Sequence, residues 1–128
     1  MSAASDYLEN KLLDHTLGNT AFTQPSALYV GLYTSSPGDD DSGTEVSGGS
    51  YARQTASFAA ASGGSCATDA TITFPAATAN WGTITHVSVH DASSAGNLLF
   101  HGAVTSSKTI ESGDTFQISS GNLTITLA

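Results

Sequence analysis

Thr83-Ile-Thr-His-Val-Ser-Val-His90 is the stretch whose reading decides the fold. Val87 and Val89 face one way, and His86, Ser88 and His90 face the other. A period of two belongs to a β-strand with one apolar and one polar side. Upstream, Ala27-Leu-Tyr-Val-Gly-Leu-Tyr33 is aromatic and apolar, with Pro25 before it and Ser35-Ser-Pro-Gly38 after it. Tyr51–Phe58 and Ala70–Phe74 alternate as well, and Asn97–Thr105, Thr115–Ser119 and Leu123–Leu127 complete the set. Residues 35–50 read as a loop with a short strand at Thr44–Ser47, and Ala59–Ala67 as a loop or edge. Short strands at this spacing, with no helices between them, predict an antiparallel sandwich or barrel. The expected fold is therefore mainly β: a single domain over 1–128, with a jelly-roll-like antiparallel β-sandwich over 27–128. Its expected core is Leu28, Val30, Leu32, Phe58, Ile72, Phe74, Trp81, Val87, Val89, Leu98, Phe100, Phe116, Ile118, Leu123, Ile125 and Leu127.

Only the N-terminal segment has a helical signature. Asp6 and Glu9 have capping-box spacing, which makes Asp6 the expected N-cap. Leu8, Leu12, Leu13 and Leu17 fall on one broad side of a 3.6-residue helix. Gly18 then supplies the left-handed residue that commonly follows a helix end. The spacing predicts one helix over residues 6–17, its leucine stripe buried on the β body or on a neighbouring subunit. Met1–Ser5 is expected to be a flexible arm.

Composition narrows the function. In 128 residues there are 3 Lys+Arg against 11 Asp+Glu, a formal net charge of -8. Three cations cannot build the basic face that nucleic acid requires, and an anionic membrane surface is disfavoured for the same reason. Charged residues are 11% of the chain, against about 25% in an average soluble domain. Polar surface must come from Ser, Thr, Asn and Gly instead. A lone cysteine, Cys66, permits no internal disulfide and has no cationic neighbour in sequence to activate it. No apolar run is long enough for a membrane-spanning helix, and the first seven residues carry no secretory signature.

Several constellations invite a chemical reading. Asp39-Asp-Asp-Ser-Gly-Thr-Glu45 is the densest charge and suggests a hard cation. Counted from Asp39, however, Gly43 falls one place early for an EF-hand, and Ser50 stands where the closing Glu belongs. A solvated acidic loop is the expected state. His86 and His90 have His-x-x-x-His spacing, but four residues of strand span about 13 Å, too far for one ion. His90, Asp91 and His101 on adjacent strands form the geometrically permitted alternative. Outward strand faces are ordinarily polar, so these groups are expected to face solvent or a subunit contact. Ser, His and Asp are all present, but there is no Gly-x-Ser-x-Gly elbow and no phosphate-binding glycine loop. Trp81 is expected as a core anchor rather than a sugar platform. Arg53, one of three cations, is expected to pair with an acid of its own chain or across an interface. No catalytic residue, cofactor or metal is assigned.

The order of segments resembles a family of small virion proteins from tailed bacteriophages. The likeness rests on Tyr7–His15, Ala27–Pro37, Gly43–Gln54, Ile72–Pro75, Asn80–Asp91, Gly96–Leu99 and Gly113-Asp114, with Glu45–Gln54 the most specific element. It implies a β-sandwich with an N-terminal helix and a non-enzymatic place in the virion, assembled in the host cytoplasm. A capsid decoration, or cement, protein looks like the best physical match: short, acidic and without a coiled-coil shaft. In that role it binds the major capsid protein as a homo-oligomer, a trimer by preference. The alternative is a tail-fibre, neck or tail-tip component, with Trp81 or the Tyr29/Tyr33 pair exposed to a host glycan. Leu8, Leu12, Arg53, His86 and His90 are the residues expected at assembly contacts.

Overall fold

A computed structural model describes residues 3–127. In chain order the elements are β1 (Ala3–Ala4), α1 (Asp6–Thr16), β2 (Leu28–Tyr33), β3 (Gln54–Ala56), β4 (Ser65–Ala67), β5 (Ile72–Thr73), β6 (Gly82–His90), β7 (Leu98–Ile110), β8 (Gln117–Ile118) and β9 (Thr124–Thr126). Every pairing between these strands is antiparallel. One sheet has the order β1-β7-β6-β2-β3, and β4–β9 and β5–β8 form two separate ribbons. The mainly β, antiparallel class expected from the alternation is the class the chain adopts.

The ribbons pack Ile72, Phe74, Phe116 and Ile125 into one core with Val30, Leu32, Val87 and Val89 of the sheet. Trp81 closes one end of it. Its side chain is 5% exposed, its ring meets Tyr51 edge-on, and its indole N–H donates to the Gly49 carbonyl at 2.9 Å. Trp81 is thus the anchor expected of a lone large ring. Val46, Ile84, Leu99 and Ile110 also join the core. Leu127 does not: it follows the end of β9 at Thr126 and is half-exposed.

The ladder between β6 and β7 slips twice, between Ile84 and His86 and between Val89 and His90. At the second slip Val89 pairs with Phe100 but His90 pairs with Leu98, leaving Leu99 as an extra residue. A bulge of this kind re-aims backbone groups, and here they meet Ser5. The Ser5 N–H donates to the Leu99 carbonyl at 2.9 Å, and its hydroxyl donates to the Leu98 carbonyl. The same hydroxyl accepts the Leu8 N–H, so Ser5, not Asp6, is the N-cap. Asp6 and Glu9 sit in the first turn instead, where negative charge suits the helix dipole.

The helix buries a narrower stripe than its sequence suggests. Leu8 is buried and Leu12 packs partly against the core, whereas Leu13 and Leu17 are 56% and 77% exposed. Gly18 follows at φ +84°, the left-handed geometry anticipated for it. The expected N-terminal arm is docked on its own chain as far as it is described: Ala3 and Ala4 pair with His101 and Phe100 at the edge of β7. Met1 and Ser2 lie outside the described residues.

Candidate functional site: the buried polar face

β2 is covered on both sides. Val30 and Leu32 turn to the apolar core, yet Gly31 and Tyr33 are buried too. So are Ser88 and His90, both at 0% exposure. The polar face of β6, expected to meet solvent or a neighbouring subunit, is instead roofed by residues 37–53 of the same chain. The roof is pinned along the β2 edge. Val46 N–H donates to the Leu32 carbonyl at 3.0 Å, and Thr34 N–H to the Thr44 carbonyl at 3.0 Å. Where β3 has ended, the Tyr51 hydroxyl takes over and accepts the Leu32 N–H at 2.9 Å.

Polar groups buried without partners are costly, and this interface supplies partners throughout. Glu45 Oε2 accepts from the Tyr51 hydroxyl at 2.6 Å and Arg53 Nε at 2.8 Å; Oε1 accepts from Arg53 Nη2 at 2.8 Å. The remaining guanidinium nitrogen, Nη1, donates to the carbonyls of Ala92 and Ala95, each at 2.9 Å. Arg53 therefore ties the roof to the turn after β6, pairing with an acid of its own chain. Burial alone would raise the Glu45 carboxyl; the Arg53 and Tyr51 hydrogen bonds outweigh it and hold the carboxyl below its usual range.

A second cluster lies beside the first. The Tyr33 hydroxyl donates to Asp41 Oδ1 at 2.6 Å, and His90 Nε2 lies 3.3 Å from Asp41 Oδ2. A carboxylate only accepts, so His90 carries its proton on Nε2 and Nδ1 accepts from the Ser88 hydroxyl at 3.0 Å. Burial, and next the charge of Arg53, push the His90 pKa below its ordinary value despite Asp41. Asp41 reaches this position at φ +58°, a left-handed geometry that Asp tolerates better than most residues. Gly31 is required by proximity: a Cβ there would stand 2.7 Å from Ser88 Oγ and 2.9 Å from Glu45 Oε2.

Ser88, His90 and Asp41 have the residue types of a hydrolytic triad, but two of the three are sealed from solvent. A nucleophile has to reach a substrate, so the arrangement acts as a structural bond chain. His90, Asp91 and His101, geometrically permitted as a metal grouping, go to separate partners. Asp91 accepts from the Asn97 backbone and side-chain amides at 2.8 and 2.9 Å, and His101 faces Asp39 at 2.8 Å. Nor does the acidic run form one cage, because Asp39, Asp41 and Glu45 go to three different partners. Asp39 instead converges with Asp6 and Glu9, all three exposed.

Of the residues expected at assembly contacts, Leu8, Arg53 and His90 are spent inside the chain. Leu12 is partly buried against the core. His86 is half-buried, with Nδ1 2.8 Å from Thr85 Oγ1. Tyr33 is 2% exposed, so neither it nor Trp81 offers the aromatic platform anticipated for a glycan. The roles of Tyr33, Asp41, Tyr51 and Ser88 were not anticipated. Gly31, a glycine inside a strand pattern, was the available signal, since it marks close approach of another group.

Among described residues, no helix is long and apolar enough to cross a membrane. No curated protein matches the chain. A family model described as Podophage GP4 fiber I protein gp80 matches residues 3–126. That span takes in the helix, the sheet, the roof and both ribbons. The chain therefore belongs to this family of phage structural proteins.

Proposed function

We propose that the protein is a structural, non-enzymatic component of a phage fibre, carried on the outside of the virion. The observation that carries this is the family match across residues 3–126, to a family described as a podophage fibre protein. The physical character of the chain supports it. A net charge of -8 keeps it from adhering to packaged genome. Tying Arg53, Tyr33 and His90 into a clamped roof suits a part that holds shape rather than turns over a substrate. The family description favours the fibre over the capsid-decoration role suggested by size and acidity.

The test is copy number in purified virions, measured by mass spectrometry against the major capsid protein. A small number of copies, with antibody label at the tail or neck, is the expected result. Hundreds of copies spread over the shell would overturn the fibre reading and restore capsid decoration.

A further inference from the structure

A depression of about 280 Å³ is lined on one side by Gly102–Thr105 of β7 and on the other by Leu123–Ile125, the start of β9. Val87, Phe116 and Ile125 also line it, and these are the three most exposed members of the buried apolar core. A second depression shares Val89, Phe100 and Ile125 with the first and runs on to Cys66 and the half-exposed Leu127.

Both strands have backbone groups to spare here. β1 covers the outer edge of β7 only at Phe100 and His101. Ala103 turns its backbone to the same edge as His101, two residues earlier, and has no strand partner there among the described residues. β9 pairs with β4 alone. Leu123 and Leu127 bond to Thr68 and Gly64 on that side, which turns the Thr124 N–H and C=O away from β4. Proteins ordinarily blunt such edges with charge or proline. Neither depression is lined by an Asp, Glu, Lys, Arg or Pro.

These features select the partner. Open backbone edges beside apolar side chains fit a strand of another polypeptide, which bonds through its main chain and buries alternate side chains. A partner recognised by positive charge would seat on the carboxylates of residues 39–45 instead. Copies of a chain with net charge -8 repel one another, and this charge-free face lets two of them meet without opposing carboxylates. We propose that it is the contact between copies of this chain. A strand edge of a second copy continues the sheet along β7 beyond β1 and covers Val87, Phe116 and Ile125. The inference deepens the fibre reading, and rests on it for the need to join repeated copies.

The test is sedimentation velocity of the full chain from micromolar to hundreds of micromolar, with the variants Thr105→Glu, Thr124→Glu and Ser94→Glu. All three add the same charge at exposed positions, but only the first two lie on the depression. The parent is expected to form a discrete oligomer. Thr105→Glu and Thr124→Glu should each weaken association at least tenfold while keeping a cooperative melt, and Ser94→Glu should leave it within about twofold. A monomeric parent across the whole range would overturn the proposal and give the depression to a different protein. Equal weakening by all three variants, or by none, would overturn it as well. Virion copy number is read independently. A monomer present in few copies at the tail sinks only this inference, and an oligomer spread over the capsid sinks only the fibre reading.

Discussion

The two faces of the central sheet are buried to similar degrees by opposite means. On one, Val30, Leu32, Val87 and Val89 meet the apolar side chains of the ribbons. On the other, Gly31, Tyr33, Ser88 and His90 lie beneath a roof whose inner surface is Asp41, Glu45, Tyr51 and Arg53. The apolar face needs volume and little else, so it tolerates exchange among side chains of similar size. The polar face needs donors matched to acceptors one by one, and each loss leaves an orphan. Burial alone therefore does not tell how a position will respond to substitution.

The largest effect should come from Arg53→Met. It strands the Glu45 carboxylate and frees the turn after β6, and breaking a buried pair costs about 3–5 kcal/mol. Glu45 is 23% exposed, which puts the expectation at the lower end. Urea unfolding reads it directly, and a variant as stable as the parent would refute the account of the roof. Leu32→Ala, at a fully buried apolar site, should cost about 2–5 kcal/mol, while Leu32→Met should cost less than about 1.5.

Ser88→Ala makes the sharper contrast. It changes volume less than Leu32→Ala does, yet removes the donor to His90 Nδ1, for an expected loss of about 1–3 kcal/mol. If Ser88→Ala proved neutral, the polar face would be no more exacting than the apolar one. Acid should reveal the same difference. His90 has its native pKa lowered from 6.5, by burial first. Below about 6.5 the unfolded chain then binds the proton that the native chain refuses. Stability should begin to fall as pH drops below about 6.5, before Glu45 and Asp91 begin to lose their depressed-pKa contribution below about 4.5. His90→Gln should flatten that segment of the stability–pH curve, and an unchanged slope would assign it elsewhere. The smallest effect belongs to Leu127→Ser, at a half-exposed position outside the core, expected within about 0.5 kcal/mol of the parent.

How much of this was legible follows from what a pattern encodes. Alternation in Thr83–His90 gave the strand and the separation of its two faces, and β6 runs Gly82–His90. It could not reveal that the polar face is covered, because period two says the faces differ without saying what lies on each. The roof comes from residues 37–53, whose Ser, Gly and Asp content looks like solvated loop. The helix was placed to within a residue by Gly18 and the leucine spacing, but its cap went to Ser5. That choice depends on a bulge at Leu99 far along the chain. Leu13 and Leu17 were counted in the stripe because helical phase gives the side of a helix, not the width of the surface it meets.

By itself, then, the sequence determined local periodicity and composition: an antiparallel β class, one N-terminal helix, a large acid excess and Trp81 as an anchor. These follow from side-chain spacing and burial preference, which act over a few residues. Tertiary structure alone decided that Asp41 of the roof meets His90, that Arg53 meets the carbonyls of Ala92 and Ala95, and that these contacts seal one face of the sheet. Such contacts join residues up to 49 apart in the chain. They form only when roof and sheet fold onto each other, because only there does losing water make a matched partner obligatory.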